Sequence, residues 1–263
     1  MQAQERTINV AGVAVHTWVG GQGAPLLILH GAGGNGGFTR AVRTLAERYT
    51  VWAPTHPGFG ASGEAEWMDG VDDLARFYLW FIDAAKLGRP HLLGHSVGGW
   101  TAAEMAAMSP GAIDRLVLVS AAGLKPDVGE ILDVFYYTPQ QLRDLAIHDP
   151  KTVPEWEELY GRAPTPAEQE IALRNREMTA RLTWKPYMHN PRLAHFLPRI
   201  DNPTLIIWGR EDRIVPLVCG EQYRTHIPGA TLSVLERCGH RPPIEHPDAF
   251  AKLVSDFLGG PAR

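Results

Sequence analysis

The sequence predicts an α/β protein in which a mostly parallel sheet of eight strands carries helices on both faces. Short apolar runs alternate with helical patterns, and this alternation is typical of a parallel sheet. Several runs, such as Pro25–Leu29 and Leu116–Val119, are continuously apolar, as strands buried on both faces are. The alternation stops in the middle of the chain, where helical patterns separated by prolines indicate an insertion.

The expected elements begin with an antiparallel hairpin whose arms are residues 7–10 and 13–19, split by Ala11-Gly12. The remaining strands are expected at residues 25–29, 49–54, 90–94, 115–119, 203–208 and 231–235. Helices are expected at residues 38–48, 71–87, 100–108, 131–147, 166–182, 216–225 and 247–258. This pattern predicts a core domain made of residues 1–123 and 199–263, with a helical insertion at residues 124–198.

Composition limits the classes of partner. The formal net charge is -4 and the chain has no basic block, so nucleic acid and anionic membranes are poor candidates and a small molecule fits better. The N-terminus is polar, and no run approaches the roughly 18 apolar residues of a spanning helix, so we expect a soluble, cytoplasmic protein. Cys219 and Cys238 have no Cys-x-x-Cys spacing and are expected to be buried. The sequence leaves a homodimer open.

The motif that suggests an activity is Gly94-His95-Ser96-Val97-Gly98. An apolar run precedes it and a helix-like run from Trp100 to Met108 follows it, which predicts a strand, a sharp turn and a helix. A glycine on each side of the serine leaves room for a strained backbone. A pentapeptide of this kind matches by chance about as often as by function, so its meaning depends on partners elsewhere.

Such partners follow two later strands. Asp212 comes after the strand at 203–208, and His240 comes after the strand at 231–235. Because the carboxyl ends of parallel strands meet at one edge of a sheet, both residues are expected to converge on Ser96. A glycine-rich loop at residues 30–35 joins them there, and it lacks the Gly-Lys-Ser/Thr ending of a phosphate-binding loop.

Together these features resemble the α/β-hydrolase fold, in its serine hydrolase branch with a helical cap. The resemblance extends over nearly all of the chain outside the insertion. Its motifs are His30-Gly31-Ala32-Gly33-Gly34, Pro57-Gly58-Phe59-Gly60-Ala61-Ser62, Gly94-His95-Ser96-Val97-Gly98, and the contexts of Asp212 and His240.

The resemblance and the chemistry of the side chains assign the roles. Ser96 is a weak nucleophile at its own pKa, so it needs a base, and His240 can take its proton and return it to the leaving group. Asp212 would orient and stabilise the imidazole. The backbone N–H groups of Ala32 and Val97 are expected to form an oxyanion hole. This chemistry needs no metal or organic cofactor.

Three neighbouring residues are weaker candidates. His95 is adjacent to the serine and would point elsewhere, so it is interpreted as structural. His246 is interpreted as the entry to the last helix, and Glu211 is an alternative to Asp212 as the acid.

The sequence favours a carboxylic ester hydrolase for small to medium, largely apolar acyl groups. A carbon–carbon hydrolase of meta-cleavage products is the second reading, because Trp208-Gly209-Arg210-Glu211-Asp212-Arg213 and the Cys238-Gly239-His240 stretch followed by Glu245-His246 resemble that group. Those enzymes typically have a Trp where this chain has Arg241, and they use a cap arginine. A slow or non-catalytic ligand receptor is the third reading. Candidate substrate-binding residues are His30, Gly31, Tyr136, Trp156, Arg174, Arg176, Trp184 and Arg241.

Overall fold

The structure is a computed structural model that describes residues 3–260. Its strands are β1 (Gln4–Val10), β2 (Val13–Gly21), β3 (Pro25–Leu29), β4 (Thr50–Pro54), β5 (His91–His95), β6 (Leu116–Val119), β7 (Thr204–Gly209) and β8 (Thr231–Leu235). Its α-helices are α1 (Arg40–Ala46), α2 (Val71–Ala84), α3 (Val97–Met108), α4 (Pro139–Ala146), α5 (Trp156–Tyr160), α6 (Pro166–Thr183), α7 (Leu193–Phe196), α8 (Leu217–His226), α9 (Pro242–Glu245) and α10 (Pro247–Leu258).

All eight strands form one sheet in the order β1-β2-β4-β3-β5-β6-β7-β8. The pairs β1–β2 and β2–β4 are antiparallel, and every later pair is parallel. The predicted fold class, a mostly parallel sheet of eight strands, is confirmed. The parallel strands β3, β5, β6, β7 and β8 end at the same edge, which brings the loops that follow them together.

Helices cover both faces of the sheet, which explains why its strands are continuously apolar. In β6, Leu116 and Leu118 face a core shared with α2, α3 and α8, whereas Val117 and Val119 face a core shared with α1 and α10. Successive side chains of a strand point to opposite faces, so every position of a central strand is buried.

The turn between β5 and α3 is possible because of its glycines. A Cβ atom on Gly94 would lie 2.2 Å from the carbonyl oxygen of Gly98. A Cβ atom on Gly98 would lie 2.3 Å from the carbonyl oxygen of Leu29 in β3. Real Cβ atoms do not approach backbone oxygens so closely, so both positions require glycine if α3 is to start directly against the sheet.

The insertion at residues 124–198 is helical and contains α4 to α7 with no strand. One predicted helix is too long: residues 131–147 form α4 only from Pro139, and the residues before it make turns. Thr138 precedes a proline, which disfavours helical backbone, and its hydroxyl accepts the N–H of Gln141 in a capping box. Met178 and Leu182 of α6 share the core of the sheet, so the insertion has no separate core.

Cys219 and Cys238 are buried free thiols. Within residues 3–260, no helix combines the length and apolarity that crossing a bilayer requires.

The Gly98→Ala variant tests the packing of the turn. We expect a loss of about 1–3 kcal/mol in the free energy of unfolding, because the added methyl group meets backbone atoms of β3 that cannot move aside. Urea denaturation measures the loss. Gly111→Ala is the matched control, since a Cβ atom there would meet nothing within 4 Å. Equal stabilities of the two variants would contradict the prediction.

Candidate active site

Ser96 lies at the turn between β5 and α3 in a strained backbone conformation. Its φ is 55° and its ψ is -117°, which side-chain-bearing residues rarely adopt. The backbone around it holds this conformation: the Ser96 N–H donates to Val119, and its carbonyl oxygen accepts N–H groups from Trp100 and Ala122. The structure therefore presents the serine at the carboxyl edge of the sheet, where it is 8% exposed.

Asp212 and His240 meet at the same edge. Oδ2 of Asp212 lies 2.8 Å from Nδ1 of His240, and both side chains are buried. The other oxygen of Asp212 accepts the N–H groups of Ile214 and Val215 at 2.9 and 3.0 Å. Because the carboxylate is fixed on three sides, it holds the imidazole with Nδ1 protonated and leaves Nε2 as the basic nitrogen.

His95, which precedes Ser96 in the chain, contacts the loop of His240. Nε2 of His95 donates to the carbonyl oxygen of His240 at 2.8 Å, and the two rings are 5.0 Å apart. Burial, with a smaller contribution from the nearby His240 and Arg241, lowers the pKa of His95 to about 3. His95 is therefore a neutral hydrogen-bond donor that positions the His240 loop. Within residues 3–260 the Ser96 hydroxyl makes no hydrogen bond, so proton transfer to His240 belongs to the proposed mechanism.

Glu245 holds the loop of His240, a role that could not be predicted from its place in a family motif. Its buried carboxylate accepts the N–H groups on either side of the histidine, from Gly239 at 2.9 Å and from Arg241 at 3.1 Å. It also accepts the N–H of His148 in the insertion at 2.7 Å. The His240 N–H itself donates to Ala146 at 2.7 Å, so the insertion and the histidine loop are joined by hydrogen bonds.

The loop after β3 lies against the turn that carries Ser96. A Cβ atom on Gly31 would lie 3.0 Å from Cβ of Ser96, so this loop packs directly against the turn. The carbonyl oxygen of Gly31 accepts Nδ1 of His30 at 2.7 Å and the N–H of Gly34 at 3.1 Å. Since C=O and N–H point in opposite directions across a trans peptide, this fixes the direction of the Ala32 N–H.

A buried pair of histidines supports this loop from behind. Nε2 of His30 accepts the backbone N–H of His56, and Nε2 of His56 donates to the carbonyl oxygen of His30. Nδ1 of His56 in turn faces the Tyr78 hydroxyl at 2.5 Å. Burial lowers the pKa of His30 to about 4 and that of His56 well below its usual value, so both rings are neutral. Both ring nitrogens of His30, a predicted substrate-binding residue, thus bind backbone groups of Gly31 and His56.

Helix α6 of the insertion contacts the same loop. Asn175 donates to the carbonyl oxygen of Gly33 at 3.2 Å and accepts the N–H of Gly60 at 2.9 Å. The Thr179 hydroxyl lies 3.3 Å from the carbonyl oxygen of Ala32. Asn175 and Thr179 were not predicted as site residues, because a polar stripe on a helix has no distinctive signature when its partners are distant in the chain.

Four predicted substrate-binding residues lie in other surroundings. Arg174 donates to the carbonyl oxygens of Gly60 and Ser62, and Arg176 donates to the carbonyl oxygens of residues 134, 135 and 137. Both guanidinium groups therefore tie the insertion to backbone instead of presenting an open anion site. Tyr136 is 81% exposed, and Trp184 is 57% exposed beside Phe135, so neither walls an enclosed cleft as we expected.

Trp156 and Arg241, two further predicted substrate-binding residues, are connected through Tyr160, and Arg241 directly follows His240. Trp156 packs on Tyr160 with ring centroids 4.9 Å apart, and Nη1 of Arg241 donates to the Tyr160 hydroxyl at 2.7 Å. The alternative acid, Glu211, accepts the N–H of Cys238 at 2.8 Å and thereby stabilises the loop that carries His240. His246 precedes α10 as its N-cap residue.

Comparison with known proteins places this site in a family. A family model described as alpha/beta hydrolase fold matches residues 24–247. The 2-hydroxy-6-oxo-6-phenylhexa-2,4-dienoate hydrolase of Burkholderia cepacia is 33% identical, with 96% of this chain and 94% of that protein covered. The 2-hydroxymuconate semialdehyde hydrolase of Pseudomonas putida is also 33% identical, with 96% and 93% covered. A solved meta-cleavage product hydrolase from Pseudomonas fluorescens IP01 has a TM-score of 0.82 at 30% identity, with 97% of each chain covered.

These relatives overturn the prediction of a carboxylic ester hydrolase. Their names describe substrates that carry a ketone or an aldehyde and no ester, and they match nearly the whole chain. The prediction was wrong because the serine, acid and histidine motifs are common to many hydrolases of this fold and do not carry the identity of the cleaved bond.

Replacing Glu245 by alanine tests its role in holding His240. The change leaves the N–H groups of Gly239, Arg241 and His148 without their acceptor, so we expect the histidine loop to shift and the reaction of Ser96 with a fluorophosphonate to slow about 10- to 100-fold. Glu236→Ala is the control, because Glu236 pairs with Arg210 on the exposed side of the same loop. A labelling rate equal to that of the control would refute the role.

The buried histidines predict a dependence of stability on pH. His30 has a pKa of about 4 in the folded state and about 6.5 in the unfolded state, so the unfolded state binds more protons between these values. The free energy of unfolding therefore falls as the pH drops from 6.5 toward 4, and His30 alone contributes about 2 kcal/mol of the loss by pH 5. Urea denaturation at pH 7.5 and pH 5 measures the loss. The His30→Gln variant should lose less over the same interval, and an equal loss would contradict the assignment.

Proposed function

Because the chain belongs to the alpha/beta hydrolase fold family, we propose that it hydrolyses a carbon–carbon bond in a 2-hydroxy-6-oxo-2,4-dienoate, a meta-cleavage product of aromatic catabolism. The observation that carries the proposal is the likeness over nearly the full chain to hydrolases named for such substrates. The carboxyl edge of the sheet supports it, because it offers a serine, a fixed acid–histidine pair and free backbone N–H groups.

The chemistry of such a substrate defines the bond that breaks. It has a ketone at C6 and no ester or amide, so water can only be added across the bond between C5 and C6. In the keto form of the dienol, C5 carries a proton taken from the C2 hydroxyl. Cleavage then yields a carboxylic acid from the C6 side and 2-hydroxypenta-2,4-dienoate from the other side.

Ser96 is the proposed nucleophile and His240 the proposed base. As Nε2 of His240 takes the hydroxyl proton, the Ser96 oxygen attacks C6 and the carbonyl oxygen becomes an oxyanion. Asp212, already bonded to Nδ1, stabilises the imidazolium that forms. The N–H groups of Ala32 and Val97 stabilise the oxyanion, and the fixed orientation of the Ala32 peptide means that little reorganisation is needed.

Collapse of the oxyanion breaks the C5–C6 bond and leaves the acyl group on Ser96. The electron pair moves from C5 along the conjugated chain to the oxygen on C2, where a proton supplied by the imidazolium completes the dienol. Water, deprotonated by His240, then attacks the acyl group, and the free acid leaves. Overall, one water molecule is consumed and two carboxylic acids result.

The insertion is the proposed cap of this enzyme. Asn175 and Thr179 contact the loop that carries Ala32, and Ala146 and His148 contact the loop that carries His240. Residues 124–198 therefore cover both halves of the proposed site and would limit access of water to the oxyanion.

The test is hydrolysis of 2-hydroxy-6-oxo-6-phenylhexa-2,4-dienoate, followed by loss of the dienolate absorbance and by chromatography of benzoate and 2-hydroxypenta-2,4-dienoate. We expect kcat of Ser96→Ala to fall at least about 10³-fold, and kcat of Asp212→Asn to fall about 10³- to 10⁴-fold. Glu211→Gln is the matched control for the acid, and its kcat should stay within about tenfold of the wild type. An unreactive wild type would refute the substrate class, and a fully active Ser96→Ala protein would refute the mechanism.

A further inference from the structure

Arg241 directly follows the proposed base and lies between the insertion and the loop of the oxyanion hole. Its Nη1 donates to the Tyr160 hydroxyl at 2.7 Å. Its Nη2 lies 3.6 Å from where a Cβ atom of Gly33 would be. The side chain is half-buried, and its charge reaches the proposed site, since Arg241 is one of the cations that lower the pKa of His95.

This guanidinium has no carboxylate partner. No ion pair within residues 3–260 includes Arg241. The two buried carboxylates nearby are occupied: Asp212 holds His240, and Glu245 accepts backbone N–H groups. A half-buried cation without a counter-charge is costly, so a site of this kind favours an anionic ligand.

The surroundings of Arg241 include a second cation, Arg143, whose Nε is 3.5 Å from a carboxylate oxygen of Asp144. The Arg143 guanidinium lies over the Tyr160 ring at 5.4 Å and over the Trp156 ring at 5.5 Å. Tyr160 accepts from Arg241, so its own hydroxyl proton is free to donate to a ligand. Two arginines therefore bracket one tyrosine beside the proposed site.

We propose that Arg241 binds the C1 carboxylate of the dienoate, with the Tyr160 hydroxyl as a second donor, and thereby selects acidic substrates. The assignment rests on the proposed function. It gives this chain a carboxylate site at the residue after the histidine, in place of the cap arginines Arg174 and Arg176, whose guanidinium groups bind backbone carbonyl oxygens. Arg241 donates one of its five side-chain N–H groups to Tyr160, and the planar guanidinium can offer two others to a carboxylate in a bidentate arrangement.

The reach of the substrate fits this assignment. Gly31 packs against Ser96 and Gly33 packs against Arg241. Two residues of extended chain, or six backbone bonds, span at most about 7 Å. The five bonds from C6 to C1 of a conjugated chain span nearly as much, so a substrate with C6 at Ser96 can place its carboxylate at Arg241.

The decisive variant is Arg241→Gln. We expect KM for 2-hydroxy-6-oxo-6-phenylhexa-2,4-dienoate to rise about 10- to 100-fold, because a charge-assisted hydrogen bond is lost. The KM for its methyl ester at C1 should stay nearly unchanged. Arg241→Lys keeps the charge without the planar fork and should give an intermediate KM. Arg237→Gln removes an exposed positive charge from the same loop and is the matched control, with KM equal to that of the wild type. An unchanged KM in Arg241→Gln would overturn the assignment.

A second measurement does not require carbon–carbon cleavage. Hexa-2,4-dienoate should protect Ser96 from fluorophosphonate labelling in the wild type, and its neutral amide should protect far less. In Arg241→Gln this difference should disappear, while the circular dichroism spectrum and the midpoint of urea denaturation should match those of the wild type as evidence of an intact fold. If the wild type does not cleave the dienoate but shows this Arg241-dependent protection, the carboxylate site stands and the proposed function fails. If cleavage occurs and protection does not depend on Arg241, the carboxylate site is refuted.

Discussion

The strained backbone of Ser96 is the constraint on which the rest of the site depends. A residue with φ of 55° needs a surrounding structure that leaves it no alternative. That structure consists of the N–H and C=O bonds of Ser96 to β6 and α3, and of Gly94 and Gly98, where a side chain would collide with backbone. Because α3 starts directly at this turn, its first N–H groups, including that of Val97, stay free of intrahelical partners.

Buried hydrogen bonds also fix the two loops next to Ser96, the loop after β3 and the loop that carries His240. Behind the loop after β3, His30 and His56 use every ring nitrogen, and they can do so only as neutral tautomers. Beside the histidine loop, the buried carboxylate of Glu245 accepts three backbone N–H groups, which replace the hydrogen bonds of water. In both places the reactive loop is irregular, and a fully satisfied polar group beneath it keeps one conformation. The insertion contacts the loop after β3 through Asn175 and Thr179, and it joins the Glu245 network through His148, so the proposed cap is a structural part of the site.

The outcome for the arginines shows where prediction from sequence stops. Arg174 and Arg176 were reasonable candidates for an anion site because they are cations in the insertion, whereas Arg241 differs from the tryptophan typical of the resembled hydrolases. In the structure the first two bind carbonyl oxygens of residues at least 39 positions away, whereas Arg241 donates to the hydroxyl of Tyr160. A sequence shows which side chains are charged, but it does not show which acceptor each charged group binds in the fold.

The sequence by itself determined the sheet of eight strands, the sharp turn at Ser96 and the strand ends that carry Asp212 and His240. These follow from local periodicity and from the fact that parallel strands end at one edge. Tertiary structure decided that Glu245 and the His30–His56 pair support the loops around His240 and Ser96, that α4 begins only at Pro139, and which acceptors each guanidinium group binds. Each of these depends on contacts between residues far apart in the chain, where periodicity gives no information.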